Sequence, residues 1–449
     1  MKLFPDKNIS KEIMSIALPV VGGLATQMLL SLVDTAMVGR LENSKVALAA
    51  LGLAFLASWA ITSLFSSLST GTHVLVARRQ GEGNLHGVSE SLNNSLLLSI
   101  ILGIVFAIIG YLFSFEIMDF FSKDKAVAAE GAGYMAFRFL GLPFFLMIVS
   151  YRGFFYGIGH SKVILQSAIV VMVLHITTNF LLIFGNLGFP KMGLAGAGVS
   201  SFISLVFGWL VLVSVTFMKE YRITYSYYKH IHVSKETIKQ ILKISIPVSL
   251  QNVLILLGFL IFVAVTGIIG TAEQAASQVV ISTLFISFIP CFGLGAAAQT
   301  LVGQSLGRGN PLRAQIYGFQ TARIGTYFTF VIGFIFIVFP ESVLSIFTTN
   351  AEVTKLAVPL LQIAGLSQLF YGGGIILANS LQAAGATVYV MWVEVITHWV
   401  LFLPLTYIFG VLLQGGIIGA WWALPVYVIM FLALNYFKFR SKTWMKIKI

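Results

Sequence analysis

The chain has 449 residues, of which 58% are apolar and 10% charged, whereas a soluble domain carries about 25% charged residues. That composition excludes a soluble globular domain and indicates a lipid solvent. The net charge of +12 would suit nucleic acid, but the placement of the cations argues against it, and the lone cysteine, Cys291, excludes disulfides and thiolate metal sites.

A bilayer-spanning helix needs roughly 20 mostly apolar residues. The chain predicts twelve such spans: 14–38, 46–76, 91–113, 132–155, 163–185, 193–217, 241–269, 275–302, 314–339, 356–379, 388–411 and 416–437. The second exceeds the length of one span, which predicts a tilt or kink there. A β-barrel would show segments of about 10 residues with alternating polarity, and these runs do not alternate. The 42 glycines suit close helix packing. The reading is an all-α integral membrane protein with twelve transmembrane helices. Residues 1–10 are polar and the run after them can span, so no cleavable signal peptide is expected.

With the N-terminus on the cytoplasmic side, cytoplasmic segments hold Lys2, Lys7, Lys11, Arg78, Arg79, Arg152, Lys162, six cations from Lys219 to Lys243, Arg308, Arg313 and five from Lys438 to Lys448. The outer loops hold only Arg40, Lys45, Lys123, Lys125, Lys191 and Lys355, and Arg138 and Arg323 fall inside spans. An asymmetry of 20 to 6 over short loops predicts both termini in the cytoplasm of a cell (inner) membrane. The basic charge thus sets topology and meets anionic lipid, with no nucleic acid partner.

The longest polar segment, about 218–240, divides the chain into an N-terminal lobe (1–217) and a C-terminal lobe (241–449) of six spans each. The lobes repeat one another. Pro19 in "IALPVV" matches Pro247 in "ISIPVS", and "VARRQGEGN" (76–84) matches "VGQSLGRGN" (302–310). "FFSKDKAV" (120–127) matches "IFTTNAEV" (346–353), "GHS" (159–161) matches "GAT" (385–387), and "IFG" recurs at 183–185 and 408–410. Matches in order at one offset of about 225 mark a duplication. Each half has an even number of spans, so the repeat is parallel, as in carriers whose two lobes rock about a central site.

Charges inside spans are costly and need an account. Asp34 stands in "QMLLSLVDTAMVGRL" (27–41), in the outer half of the first span. Gln27 lies two turns earlier on the same face, with Ser31 and Thr35 nearby. Desolvation disfavours an ionised carboxylate, so one held in a low-dielectric pocket can load and release a proton near physiological pH. The plainer alternative is an interfacial carboxylate paired with Arg40. In the fifth span, "VLHITTNFLLIFG" (173–185), His175 and Asn179 are four apart and share a face. They reach the depth of Asp34, or they serve only to bond helices together. Asp34 aligns with Phe262 and Asn179 with Pro404, so this polar cluster belongs to one lobe, unlike a packing requirement common to both. Asp34, Gln27, Asn179 and His175 are the ion-coupling candidates, with Na+ an option at Asp34 and Asn179 and no other metal.

In the eleventh span, "WVEVITHWV" (392–400), Glu394 and His398 form an i,i+4 pair. It reads either as a mutually satisfied pair or as a cation contact on the substrate path, and Thr35 and Thr178 are further path candidates. Arg138 and Arg323 read as snorkelling or ion-paired. The aromatic load (38 Phe, 15 Tyr, 7 Trp) suits lipid contact and, in part, a tolerant chamber for flat organic cations. "GEGNLHG" (81–87) follows no strand and is no nucleotide fingerprint.

At this point the chain resembles the multidrug and toxic compound extrusion (MATE) transporters, over essentially its whole length, and in particular their DinF-like branch. "LVDTAMVGRL" (32–41) resembles the first-helix signature of that branch, and the "GEGN", "GRGN" and "IFG" segments fit it. The resemblance implies two pseudo-symmetric six-helix lobes in a V shape and no cofactor beyond H+ or Na+ as coupling ion. It also implies a monomeric antiporter exporting small organic cations or amphipathic drugs through the lipid bilayer, with Asp34 as its essential carboxylate. Where the branch carries a motif resembling N-x-x-x-D in the fifth helix, this chain has His175 and Asn179. Asp34 is then the sole acid of the cluster, and the added histidine favours proton over sodium coupling. A flippase of lipid-linked precursors would want several cations inside the first lobe, where only Arg138 lies within a span. A membrane-embedded enzyme would need an acid or nucleophile beside His175 or His398. For a channel, no ring-forming filter is visible.

Overall fold

A computed structural model describes residues 6–227 and 232–447; Lys2, Lys229 and Lys448, counted in the charge asymmetry, lie outside them. Among the described residues every regular element is helical. In chain order the first half comprises α1 (Lys7–Val38), α2 (Ser44–Ser66), α3 (Leu68–Gly81), α4 (Leu85–Leu112), α5 (Ser114–Phe121), α6 (Lys125–Leu140), α7 (Leu142–Gly157), α8 (Ser161–Phe184), α9 (Gly193–Phe217) and α10 (Lys219–Tyr225). The second half comprises α11 (Lys235–Ile269), α12 (Thr271–Gly307), α13 (Pro311–Val338), α14 (Pro340–Leu344), α15 (Ala351–Ala383), α16 (Thr387–Glu394), α17 (Leu403–Tyr407), α18 (Gly416–Trp421) and α19 (Ala423–Arg440). Two π-helical stretches, Val395–Phe402 and Ile408–Leu412, flank α17.

Among the described residues eleven helical stretches are long and apolar enough to cross a membrane, and a bent pair, counted as one span, makes the twelfth. The chain is a multi-pass membrane protein. The long second span is broken at Ser67, between α2 and α3. The fourth, expected as one stretch, is α6 and α7 bent by 48°. Pro143 explains the break: it opens α7 without an N–H to extend α6. Gly103 of α4 lets the chain come close there, for a Cβ at Gly103 would lie 2.5 Å from Pro143 Cα.

The repeated motifs turn out to be helix punctuation. Gly83 (φ 71°) and Gly309 (φ 69°) take the left-handed conformation that ends a helix. The asparagines after them cap the next helix: Asn84 Oδ1 accepts from Gly87 N at 2.8 Å, and Asn310 Oδ1 from Arg313 N at 3.0 Å. Asp124 and Asn350 do the same for α6 and α15, accepting at 2.8 and 2.9 Å. Only the last pair diverges. Gly185 ends α8 at φ 74°, whereas Gly410 runs on within a π-turn.

The chain forms two compact units, Gly22–Ser245 on one hand and Met1–Val21 with Ile246–Ile449 on the other. Both α1 and α11 change unit within three residues of their prolines, Pro19 and Pro247. Solvation is inverted relative to a soluble protein. In unit Gly22–Ser245, α4 exposes Ile100, Ile101, Ile104, Val105 and Ile108, the surface that lipid solvates. Its interior instead holds a hydroxyl chain, Thr72–Ser95 at 2.6 Å, Ser95–Ser150 at 2.6 Å and Ser150–Ser99 at 2.8 Å, joining α3, α4 and α7.

The polar segment after α9 is folded onto the same unit. Ser89 donates to the Tyr225 carbonyl, Asn93 to that of Tyr227 at 3.0 Å, and Asn94 to that of His232 at 3.1 Å. Tyr225 and Tyr227 pack edge-on to Phe154 at 5.5 and 5.6 Å, and burial pushes the Tyr225 hydroxyl up to about 12. Arg79 anchors the start of α11. Its guanidinium donates to Gly87 O at 2.8 Å, Ser91 Oγ at 2.9 Å, Thr237 Oγ1 at 2.9 Å and Gln240 Oε1 at 3.1 Å, and it lies 3.6 Å from Glu90.

In the other unit, glycines let α13 and α15 approach to backbone contact. A Cβ at Gly365 would lie 2.8 Å from Gly333 O, and one at Gly372 would lie 2.6 Å from Gly325 O. We expect Gly365→Leu to cost about 3 kcal/mol by overpacking and to lower the melting temperature of the purified protein. Gly52→Ala, where a Cβ meets nothing within 4 Å, should leave it unchanged. Equal melting curves for the two variants would refute this account of the packing.

Candidate functional site

The first half gathers its polar residues where α1, α8 and α9 meet. Asp34 is four residues from the end of α1 and Asn179 five from the end of α8. Both helices run the same way, so the two side chains lie level. Asn179 Nδ2 donates to Asp34 Oδ1 at 2.6 Å, and His175 Nε2 lies 2.8 Å from the same oxygen. The i,i+4 spacing on α8 makes this convergence possible, since it stacks both side chains on the face turned to α1. The Asp34 side chain is 15% exposed and that of His175 7% exposed.

A hydrogen-bond ledger locates a proton. The Ser204 hydroxyl, on α9, donates to Ser200 O at 2.7 Å, which commits its only hydrogen. In that arrangement its oxygen, 3.2 Å from His175 Nδ1, accepts from that nitrogen in the tautomer that carries Nδ1–H. With Nδ1–H engaged there, a bare Nε2 would set its lone pair against an Asp34 oxygen 2.8 Å away. The contact closes with one proton between Nε2 and Oδ1, as imidazolium and carboxylate or as neutral imidazole and carboxylic acid. Loss of that proton sets lone pair against lone pair unless the Ser204 hydroxyl swings from Ser200 O to Nδ1. The arrangement can thus hold one exchangeable proton and signal its departure to α9. Tyr134, buried on α6, lies within electrostatic reach of Asp34.

The other candidates are distributed as follows. Gln27 is exposed, and no hydrogen bond joins it to Asp34. Thr35 is exposed and donates to Ser31 O at 2.9 Å. Thr178 donates to Leu174 O at 2.9 Å and pairs with the Ser200 hydroxyl, which in turn donates to His175 O at 3.0 Å. Arg40 is exposed and forms no ion pair with Asp34 among the described residues. Outside the membrane depth, Lys191 bonds Glu42 at 2.7 Å and holds its carboxyl below the usual carboxylate range. Ser200 and Ser204 escaped the sequence reading; their i,i+4 spacing in the sixth span was the signal.

At the equivalent place in the second half the chemistry is aromatic. Phe262, the counterpart of Asp34, is buried, its ring 5.2 Å from Phe402 and 5.5 Å from Trp421. The Glu394–His398 pair lies on α16 and the π-helical stretch after it, both side chains buried. Tyr427 of α19 donates to Glu394 Oε1 at 2.8 Å, a partner that sequence spacing could not name.

Known proteins agree with this architecture. The MatE family pattern matches the chain twice, over residues 19–181 and 247–408, one match in each half of the repeat. The probable multidrug resistance protein NorM of Thermotoga maritima is 27% identical over 441 residues, covering 98% of this chain and 94% of that protein. The probable multidrug resistance protein YoeA of Bacillus subtilis is 26% identical, covering 90% and 87%. Among solved structures, a multidrug resistance MATE family transporter of the MOP superfamily in an outward-facing conformation superposes with a TM-score of 0.89 at 20% identity, covering 98% of this chain and 97% of that one. Two copies of one family pattern, spanning most of a twelve-helix membrane chain, leave a single assignment: the chain belongs to the MATE family of multidrug efflux transporters, which are carriers and not enzymes.

Proposed function

We propose that this protein is a secondary antiporter that exports cationic, amphipathic organic compounds in exchange for protons, with Asp34 as the coupling carboxylate. It works by alternating access in the cell (inner) membrane, with both termini cytoplasmic, and needs no cofactor beyond the ion. The excess of Lys and Arg on one side supports that orientation, and "LVDTAMVGRL" supports a place in the DinF-like branch. The relatives' names support multidrug substrates. One observation carries the choice of ion: the 2.8 Å contact between His175 Nε2 and Asp34 Oδ1, which sets two proton-exchanging groups side by side and supports a proton as the ion carried there.

Sodium is the second reading, favoured by Asn179 Oδ1, a buried oxygen without a hydrogen-bond partner. A rotated amide would turn that hard ligand toward Asp34. As it stands, however, Oδ1 of Asp34 is occupied by two nitrogen groups, which a sodium ion would have to displace.

The two readings separate in inside-out vesicles given ethidium as the organic cation. A lumen acid by one pH unit, worth about 1.4 kcal/mol, supports about tenfold accumulation for one-to-one exchange. We expect nigericin to abolish this uptake and an imposed sodium gradient alone to drive none. Uptake driven by sodium at equal pH on both sides would reverse the assignment.

A further inference from the structure

We propose that Glu394 and His398 form a second proton-binding site, in the unit of Met1–Val21 and Ile246–Ile449, that works independently of Asp34. Nothing in the family assignment or in the site above calls for a buried acid and imidazole at this place. Here the structure sets them side by side and leaves the imidazole unsatisfied. Glu394 is 4% and His398 5% exposed. His398 Nδ1 lies 3.5 Å from Glu394 Oε1 but outside hydrogen-bond geometry. Neither ring nitrogen has a hydrogen-bond partner.

A buried imidazole ordinarily has at least one nitrogen bonded, because desolvating an unpaired polar group is costly. The carboxylate of Glu394 is better served, accepting from the Tyr427 hydroxyl at 2.8 Å. A proton taken up by Glu394 removes the mismatch. The carboxylic acid then donates to His398 Nδ1, closing the gap from Oε1, and Tyr427 keeps its bond. The groups facing the pair are few. Tyr427 comes from α19, and Tyr371 from α15 lies within electrostatic reach of Glu394, with Cys291 of α12 beyond it. α11 presents no titratable group to the imidazole: it offers Gly258, where a Cβ would lie 2.5 Å from His398 Nε2. No lysine, arginine or second carboxylate stands among these neighbours.

The backbone gives the site room to respond. The stretch Val395–Phe402 is π-helical, and Leu403 N–H reaches back five residues to His398 O. Pro404, next in the chain, has no N–H to continue the ladder. π-Turns are rare and concentrate at functional sites. Here the wide turn is built around the residue that carries the unpartnered imidazole. Closing the 3.5 Å gap on protonation pulls on this loosened segment, so proton uptake alters the eleventh span directly.

Infrared titration of the protein reconstituted in phosphatidylethanolamine and phosphatidylglycerol tests this without any transport measurement. The outcome therefore stands apart from the role of Asp34. Exposed carboxylates titrate near pH 4, so a carboxyl band that titrates between about pH 5 and 8 reports a buried acid. With Asp34→Asn as background, we expect such a band to remain, to vanish in Asp34→Asn/Glu394→Gln, and to shift its midpoint by about one pH unit in Asp34→Asn/His398→Gln. Should Glu394→Gln fail to assemble, Gly258→Ala, which displaces the ring and leaves both ionisable groups in place, must also move the midpoint. No titrating band in Asp34→Asn overturns the proposal. So does a band that survives Glu394→Gln, or a midpoint that neither His398→Gln nor Gly258→Ala moves.

Discussion

Asp34→Asn is expected to abolish gradient-driven ethidium uptake while leaving the protein folded. The amide has nearly the shape of the carboxyl, and its oxygen can still accept from Asn179, whose Nδ2 lies 2.6 Å away in the wild type. A neutral His175 can rotate the Ser204 hydroxyl to its Nδ1 and keep donating from Nε2. The network therefore survives with a penalty of about 1 kcal/mol, that of one hydrogen bond weakened from charged to neutral. What is lost is the exchangeable proton, and with it the reason for the cluster to have two states. Uptake under an imposed pH gradient should fall to that of vesicles lacking the protein, while the melting temperature and the binding of ethidium by fluorescence anisotropy change little. Wild-type uptake by the variant would remove Asp34 from coupling. Loss of ethidium binding would make it a substrate contact instead.

The second large effect is one of stability. Arg79 makes four hydrogen bonds to two helices of its unit: the Gly87 carbonyl and Ser91 on α4, and Thr237 and Gln240 at the start of α11, with Glu90 3.6 Å away. Its side chain is 14% exposed. Arg79→Ala leaves Glu90 without its cation and Gln240 Oε1 without its donor. Breaking such a partly buried pair costs about 3 kcal/mol or more, because the remaining charge keeps its desolvation penalty. We expect a markedly lower melting temperature for detergent-purified protein. Arg79→Lys should recover little of it, since a single ammonium cannot reproduce the two arms of the guanidinium fork. A melting curve unchanged in Arg79→Ala would show that the network contributes nothing to the fold.

Much of this molecule is legible in its sequence because the signals are local. An apolar run of about 20 residues is a span wherever it packs. Gly83 and Gly309 end helices, and Asn84 and Asn310 start them, through the backbone of three or four neighbours. The repeat is a property of the chain itself, and the family pattern matching once in each half reports the same duplication. The convergence of His175 and Asn179 on Asp34 could also be anticipated, since helical spacing and direction place all three at one depth.

The remainder was decided by tertiary packing. Gln27 shares a face of α1 with Asp34 by periodicity, yet it is exposed while Asp34 turns into the cluster. Ser204, Tyr427 and the α11 partners of Arg79 lie 29, 33 and about 160 residues from the groups they bond. The bend at Gly141 and the π-turns around Pro404 belong to the same class, since each depends on what lies against the helix. In water, an amphipathic helix announces its buried face by hydrophobicity. In lipid the outer face is as apolar as the inner, so that signal disappears, and side-chain fit and paired polar groups decide which residues meet. Sequence alone therefore established twelve helices, two copies of one design and a costly acid at position 34. Only the folded chain decided that this acid meets both His175 and Asn179, and that the buried His398 imidazole stands beside Glu394 without a hydrogen bond.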